Sequence, residues 1–102
     1  MRSLFLLGVF AMGCTHTMDI QKSLKETRST LIAANKVHAR ICAPKPLAAA
    51  QSNLDFAKLE LRQGSLRRAN EHLKDATKNA AIALTEATPC GTADQDLSLI
   101  HI

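Results

Sequence analysis

The chain has 102 residues, 46% of them hydrophobic but only 3% aromatic, with three Phe and no Trp or Tyr. That length allows one domain at most, and a small alanine-rich core calls for a disulfide, an anchor or a partner to hold it. Lys and Arg outnumber Asp and Glu by 13 to 9, a net charge of +4. This suits a soluble surface near anionic lipid and, without interleaved aromatics, argues against nucleic acid as a partner.

Leu4 to Met12 is almost wholly apolar, follows the lone basic Arg2, and stops at small Gly13 beside Cys14. It is too short to cross a bilayer, which takes roughly 20 apolar residues. A charged start, an apolar middle and a small residue at the cut are the layout of a secretory signal, here over 1–13. Ala11-Met12-Gly13-Cys14 resembles the lipobox of bacterial lipoproteins, with Ala11 where Leu is usual. The resemblance implies that Cys14 receives a diacylglyceryl thioether and becomes the acylated first residue of the mature protein. An ordinary cleaved signal, or a start codon placed slightly off, is the alternative. Thr15, standing where Asp would retain the protein in the inner membrane, implies outer-membrane sorting by resemblance to enterobacterial lipoproteins. Residues 14–18 are then a lipid-anchored tether.

The first predicted helix spans 19–41. Ile20, Leu24, Thr27, Leu31, Ala34, His38 and Ile41 recur at alternating steps of four and three, one helical stripe, with Asp19 as N-cap. Ala43-Pro44-Lys45-Pro46 breaks it. A second helix starts near Pro46 and aligns Leu47, Ala50, Leu54, Ala57 and Leu61, with Phe56 and Leu59 widening the apolar face. Gly64 ends that helix as a left-handed cap, and Ser65 caps a third. There Leu66, Ala69, Leu73, Ala76, Ala80, Ala83 and Ala87 share a face, and Pro89 is expected to stop the helix. So short a joint forces the last two helices to be antiparallel neighbours. The expected fold is all-α: an antiparallel helical hairpin preceded by a further helix.

With Cys14 acylated, Cys42 and Cys90 remain, an even pair in an oxidising compartment. Cys42 precedes the second helix and Cys90 follows the third, so a pivot at Gly64 sets them side by side. A Cys42–Cys90 disulfide is expected, closing a hairpin over 42–90.

Ala57, Gly64, Leu66, Ala69, Leu73 and Ala76 follow the small, turn, large, small, large, small order of one tetratricopeptide-type hairpin, which 53–76 resembles. Asn53 stands where that repeat has a large aromatic, and there is no second copy, so this is a lone hairpin of similar shape. Cys42-Ala43-Pro44, Leu47-Ala48, Asn53 to Leu61, Gly64, Arg68-Ala69, His72-Leu73 and Asn79-Ala80 resemble small bacterial envelope lipoproteins with an alanine-rich helical hairpin. In several of these the hairpin precedes an OmpA-like peptidoglycan-binding domain, sometimes after an acidic calcium-binding repeat. Asp94-Gln95-Asp96 has the D-x-D opening of such a loop, a weak metal signal, since two carboxylates alone are more often plain solvated linker, here over 91–96. Leu97 to Ile102 resembles the translation of a transposon-derived sequencing adapter. On that reading 97–102 is foreign, and the natural protein continues past Asp96.

Other constellations carry less. His38, Cys42, His72 and Cys90 are possible metal ligands, but His72 sits several turns from Cys90, and the cysteines have a better use. No nucleophile and oriented base can be assembled, and no phosphate loop is present. Arg62, Arg67 and Arg68 surround the tip at Gly64, a possible anion-binding cluster or a plain solvated one. The sequence thus reads as a non-enzymatic outer-membrane lipoprotein with no cofactor, held on the periplasmic face by Cys14. It would serve as a helical spacer or interaction module for cell-envelope integrity or peptidoglycan attachment. Membrane lipid, peptidoglycan and envelope proteins are the partners expected. The alternative is a soluble periplasmic adaptor binding a partner helix or peptide.

Overall fold

The structure is a computed structural model that describes the backbone of residues 2–100 and the side chains of residues 18–90. Four helices follow one another: α1 (Arg2–Lys36), α2 (Ala39–Cys42), α3 (Pro44–Arg62) and α4 (Leu66–Ile100). The fold is all-α, as the periodicity predicts.

Two contacts with nearly the same sequence separation set the direction of α1. Thr27 meets Thr77 across a separation of 50, and Cys42 meets Cys90 across 48. A constant offset means that α1 and α4 run the same way. Between α3 and α4 the separation instead shrinks toward the tip, from 48 at the cysteines to 19 at Asn53–His72, so that pair is antiparallel. Both α1 and α3 pack along α4 and touch each other far less. The first helix is therefore a full third member of the bundle rather than a leader to a hairpin.

The core is the stripe read from the spacing. Ile20, Leu24, Leu31 and Ala34 of α1, Leu47, Ala50, Leu54 and Ala57 of α3, and Ala69, Leu73, Ala76, Ala80, Ala83 and Ala87 of α4 are all buried. Alternating steps of three and four keep one seam facing its neighbour along each helix. The large aliphatic side chains there contribute about 1.5–3 kcal/mol each. Alanine contributes less by burial but lets two helices approach α4 on one stripe. Among the described residues Thr27 is the largest fully buried side chain, a measure of how thin this core is. Phe56 and Leu59 do not widen it; they stand 52% and 43% exposed.

The hairpin turn closes by backbone bonds at Gly64, whose φ is +83°. The Gly64 N–H donates to the Leu61 carbonyl and the Ser65 N–H to the Glu60 carbonyl, the paired bonds of a Schellman motif. Ser65 then accepts the Ala69 N–H at its carbonyl, and α4 begins. At the other end Pro44 and Pro46 both fall in the first turn of α3. First-turn N–H groups lack helical partners anyway, so the missing donors cost nothing there. The helix thus starts two residues before Pro46.

Three further boundaries differ from the expectation. The helix predicted over 19–41 instead starts at Arg2, so Asp19 is interior and not a cap, and the range 14–18 falls inside α1. It ends at Lys36, because His38 is left-handed, with φ 65°. Val37 and His38 N–H groups donate three residues back, to Ala34 and Asn35, tightening the last turn. The apolar stripe then slips by one position. Ala39 and Ala43 are buried while Ile41 is 72% exposed. Finally, α4 runs through Pro89 and the stretch 91–96 to Ile100. Thr85, whose carbonyl loses its donor at Pro89, lies exposed like the proline, where water can replace the bond. The side chains of Cys14, of Asp94 and Asp96, and of the whole 97–102 hexamer lie outside the described residues.

Candidate functional site

Two features bracket the bundle, a disulfide at one end and three arginines at the other. Cys42 closes α2, and Cys90 follows Pro89 on α4, with Cα atoms 5.9 Å apart and the two sulfurs bonded. The left-handed residue at His38 re-aims the single turn of α2, and the buried Ala39 and Ala43 seat that turn against the bundle. That arrangement presents Cys42 to α4. The bond encloses the whole of α3, the tip and α4 as far as Cys90.

At the tip, Arg62 ends α3, while Arg67 and Arg68 lie in the first turn of α4; all three are exposed. From Leu61 to Asn70 there is no acidic residue. Arg67 Nε lies 3.9 Å from Glu71 Oε1, an exposed pair one helical turn apart that contributes a few tenths of a kcal/mol at most. Neither Arg62 nor Arg68 forms an ion pair among the described residues. Glu60, next to the turn, leaves Oε2 buried with no hydrogen-bond partner and forms no ion pair among the described residues. Lys58, Leu61 and Arg62 line a depression open to solvent.

Two polar contacts inside the bundle escaped the sequence reading. His72 is half-buried: its Nδ1 lies 3.2 Å from Asn53 Oδ1 and its ring 5.3 Å from that of Phe56. Asn53, where the tetratricopeptide pattern wants an aromatic, thus becomes a polar partner across the α3–α4 seam. Thr27 Oγ1 sits 2.8 Å from Thr77 Oγ1, and each hydroxyl also lies within bonding distance of its own helix, at the Ser23 and Leu73 carbonyls. Two hydroxyl hydrogens serve three such contacts, so one is always unfilled. Periodicity marks Thr27 as a core position, but nothing in it indicates which residue it meets.

The residues weighed as metal ligands do not converge. Cys42 and Cys90 are bonded to each other, His72 is taken by Asn53, and no cluster of three or more possible ligands occurs among the described residues. Among the same residues no helix is long and apolar enough to cross a membrane.

The register also fixes which end the N-terminal segment joins. An offset of 48 to 50 sets Met18 level with the first turn of α4, the turn that carries Arg67 and Arg68. Ile20 is 3% exposed, so α1 is already packed there. Comparison with known protein families, with curated protein sequences and with solved structures gives no match.

Proposed function

We propose that this chain is a bacterial lipoprotein, anchored through acyl chains on Cys14 in the outer membrane, whose helical bundle stands in the periplasm as a spacer or interaction module. Its work is mechanical and recognitive rather than enzymatic, and it serves envelope integrity or peptidoglycan attachment. The observation that carries the reading is Ala11-Met12-Gly13-Cys14 at the end of a short apolar run. Two acyl chains or more give stable anchoring where a single one does not, at about 0.8 kcal/mol per buried methylene. The Cys42–Cys90 disulfide supports an oxidising compartment. The parallel course of α1 and α4 supports a spacer, because the chain joins the bundle at one end and continues from the other. Leu66 to Cys90 alone spans about 36 Å at 1.5 Å per residue.

Labelled palmitate is expected to mark the wild-type chain and to miss Cys14→Ala, which moves from the membrane to the soluble fraction. An unlabelled wild-type chain, or unchanged fractionation of Cys14→Ala, overturns the proposal. A soluble adaptor is the second reading, favoured by Phe56 and Leu59 exposed on α3 as contacts for a partner helix. It predicts complete extraction by a salt wash.

A further inference from the structure

The geometry points to the arginine tip as a membrane-facing surface: Arg62, Arg67 and Arg68 contact anionic phospholipid headgroups of the leaflet that holds the Cys14 acyl chains, so the bundle stands tip-down. This rests on the lipoprotein reading for the anchor, while the orientation comes from the bundle's own register.

The sequence pattern alone does not say whether the N-terminal segment meets the tip end or the disulfide end. The Thr27–Thr77 and Cys42–Cys90 offsets decide it, setting Met18 level with the start of α4. Met18 is one turn of α1 from Cys14, about 6 Å along the axis. An anchor there holds the tip within about 8 Å of the headgroups, the range over which exposed charges act at physiological salt. The guanidinium groups are free for that role: Arg62 and Arg68 are unpaired among the described residues, and Arg67 has only the loose contact with Glu71. A guanidinium grips phosphate through two parallel N–H donors. Asp19, Glu60 and Glu71 are the acids near this level, and the three arginines together with Lys22 and Lys58 outnumber them. Met18, 70% exposed, adds an apolar side chain at the same level. Arg40 and Lys45 lie at the opposite, disulfide end, so a tip-down bundle keeps them away from lipid.

The test uses the acylated full chain purified from cell membranes. It is reconstituted into vesicles of phosphatidylcholine alone or of phosphatidylethanolamine with phosphatidylglycerol. Phenylglyoxal modification of each arginine is followed by mass spectrometry. Arg62, Arg67 and Arg68 are expected to react about fivefold more slowly on the phosphatidylglycerol vesicles, the occupancy matching ~1 kcal/mol per basic residue at an anionic surface. Arg40 and Arg28 should keep their rates. Equal tip rates on both vesicle types, with the protein still floating at high salt, overturn the inference and leave the anchor standing. Equal slowing of Arg40 overturns it too, since the bundle would then lie flat. Loss of flotation at high salt removes the anchor, and the orientation falls with it.

Discussion

Reducing the disulfide should remove a large share of the stability of this bundle. For a separation of 48, the chain-entropy relation puts loop closure at about 4 kcal/mol. Small domains are stable by about 5–15 kcal/mol in total, and a core whose largest fully buried side chain among the described residues is Thr27 belongs at the low end. The bond closes the end farthest from Gly64, so without it α3 and α4 are joined at the tip alone. Half-buried Cys42 and exposed Cys90 can be replaced with little cavity. The Cys42→Ala/Cys90→Ala chain therefore reports mainly the lost constraint. Thermal melts followed by far-ultraviolet circular dichroism, with and without reductant, should show the midpoint falling by about 15–30 °C, at 4–8 °C per kcal/mol for a domain this small. Oxidised and reduced melts that coincide within a few degrees would refute the reasoning. They would mean that α1, packed along α4, already holds the pair together.

Gly64→Ala places its Cβ in open space, with nothing within 4 Å, at a φ of +83°. Its cost is then purely backbone, about 1 kcal/mol by chemical denaturation; no loss would mean that the turn can relax to negative φ. At His38, also left-handed, Asn should keep stability within about 0.5 kcal/mol while the β-branched Val loses about 1–2 kcal/mol, and equal values for the two would contradict that backbone. Thr27→Val removes a hydroxyl that competes for too few hydrogens, and Thr77 still donates to the Leu73 carbonyl. The change should stay within about 1 kcal/mol, against about 1–2 kcal/mol for Thr27→Ala with its cavity. Ala83→Leu, at a fully buried seam position, should cost about 1–3 kcal/mol by forcing the helices apart, visible as a lower urea midpoint.

Local spacing made much of this protein legible. Steps of three and four named the buried stripes of all three long helices almost residue by residue, because a helix face repeats at a fixed angle whatever it packs against. The turn at Gly64 was equally readable, since only glycine takes that φ cheaply. An even pair of cysteines flanking an antiparallel pivot led to the disulfide by the same geometry. Tertiary contacts decided the rest. The break at His38 has no glycine or proline to announce it; it arises where Ala39 and Ala43 must seat and Cys42 must reach Cys90. Pro89 looked like a stop but sits on an exposed face, where the lost bond is replaced by water. Above all, a stripe of small residues does not state its partner or its direction. That α1 lies parallel to α4, carrying the N-terminal segment to the arginine tip, follows from side chains fifty residues apart that meet only once the chain is folded.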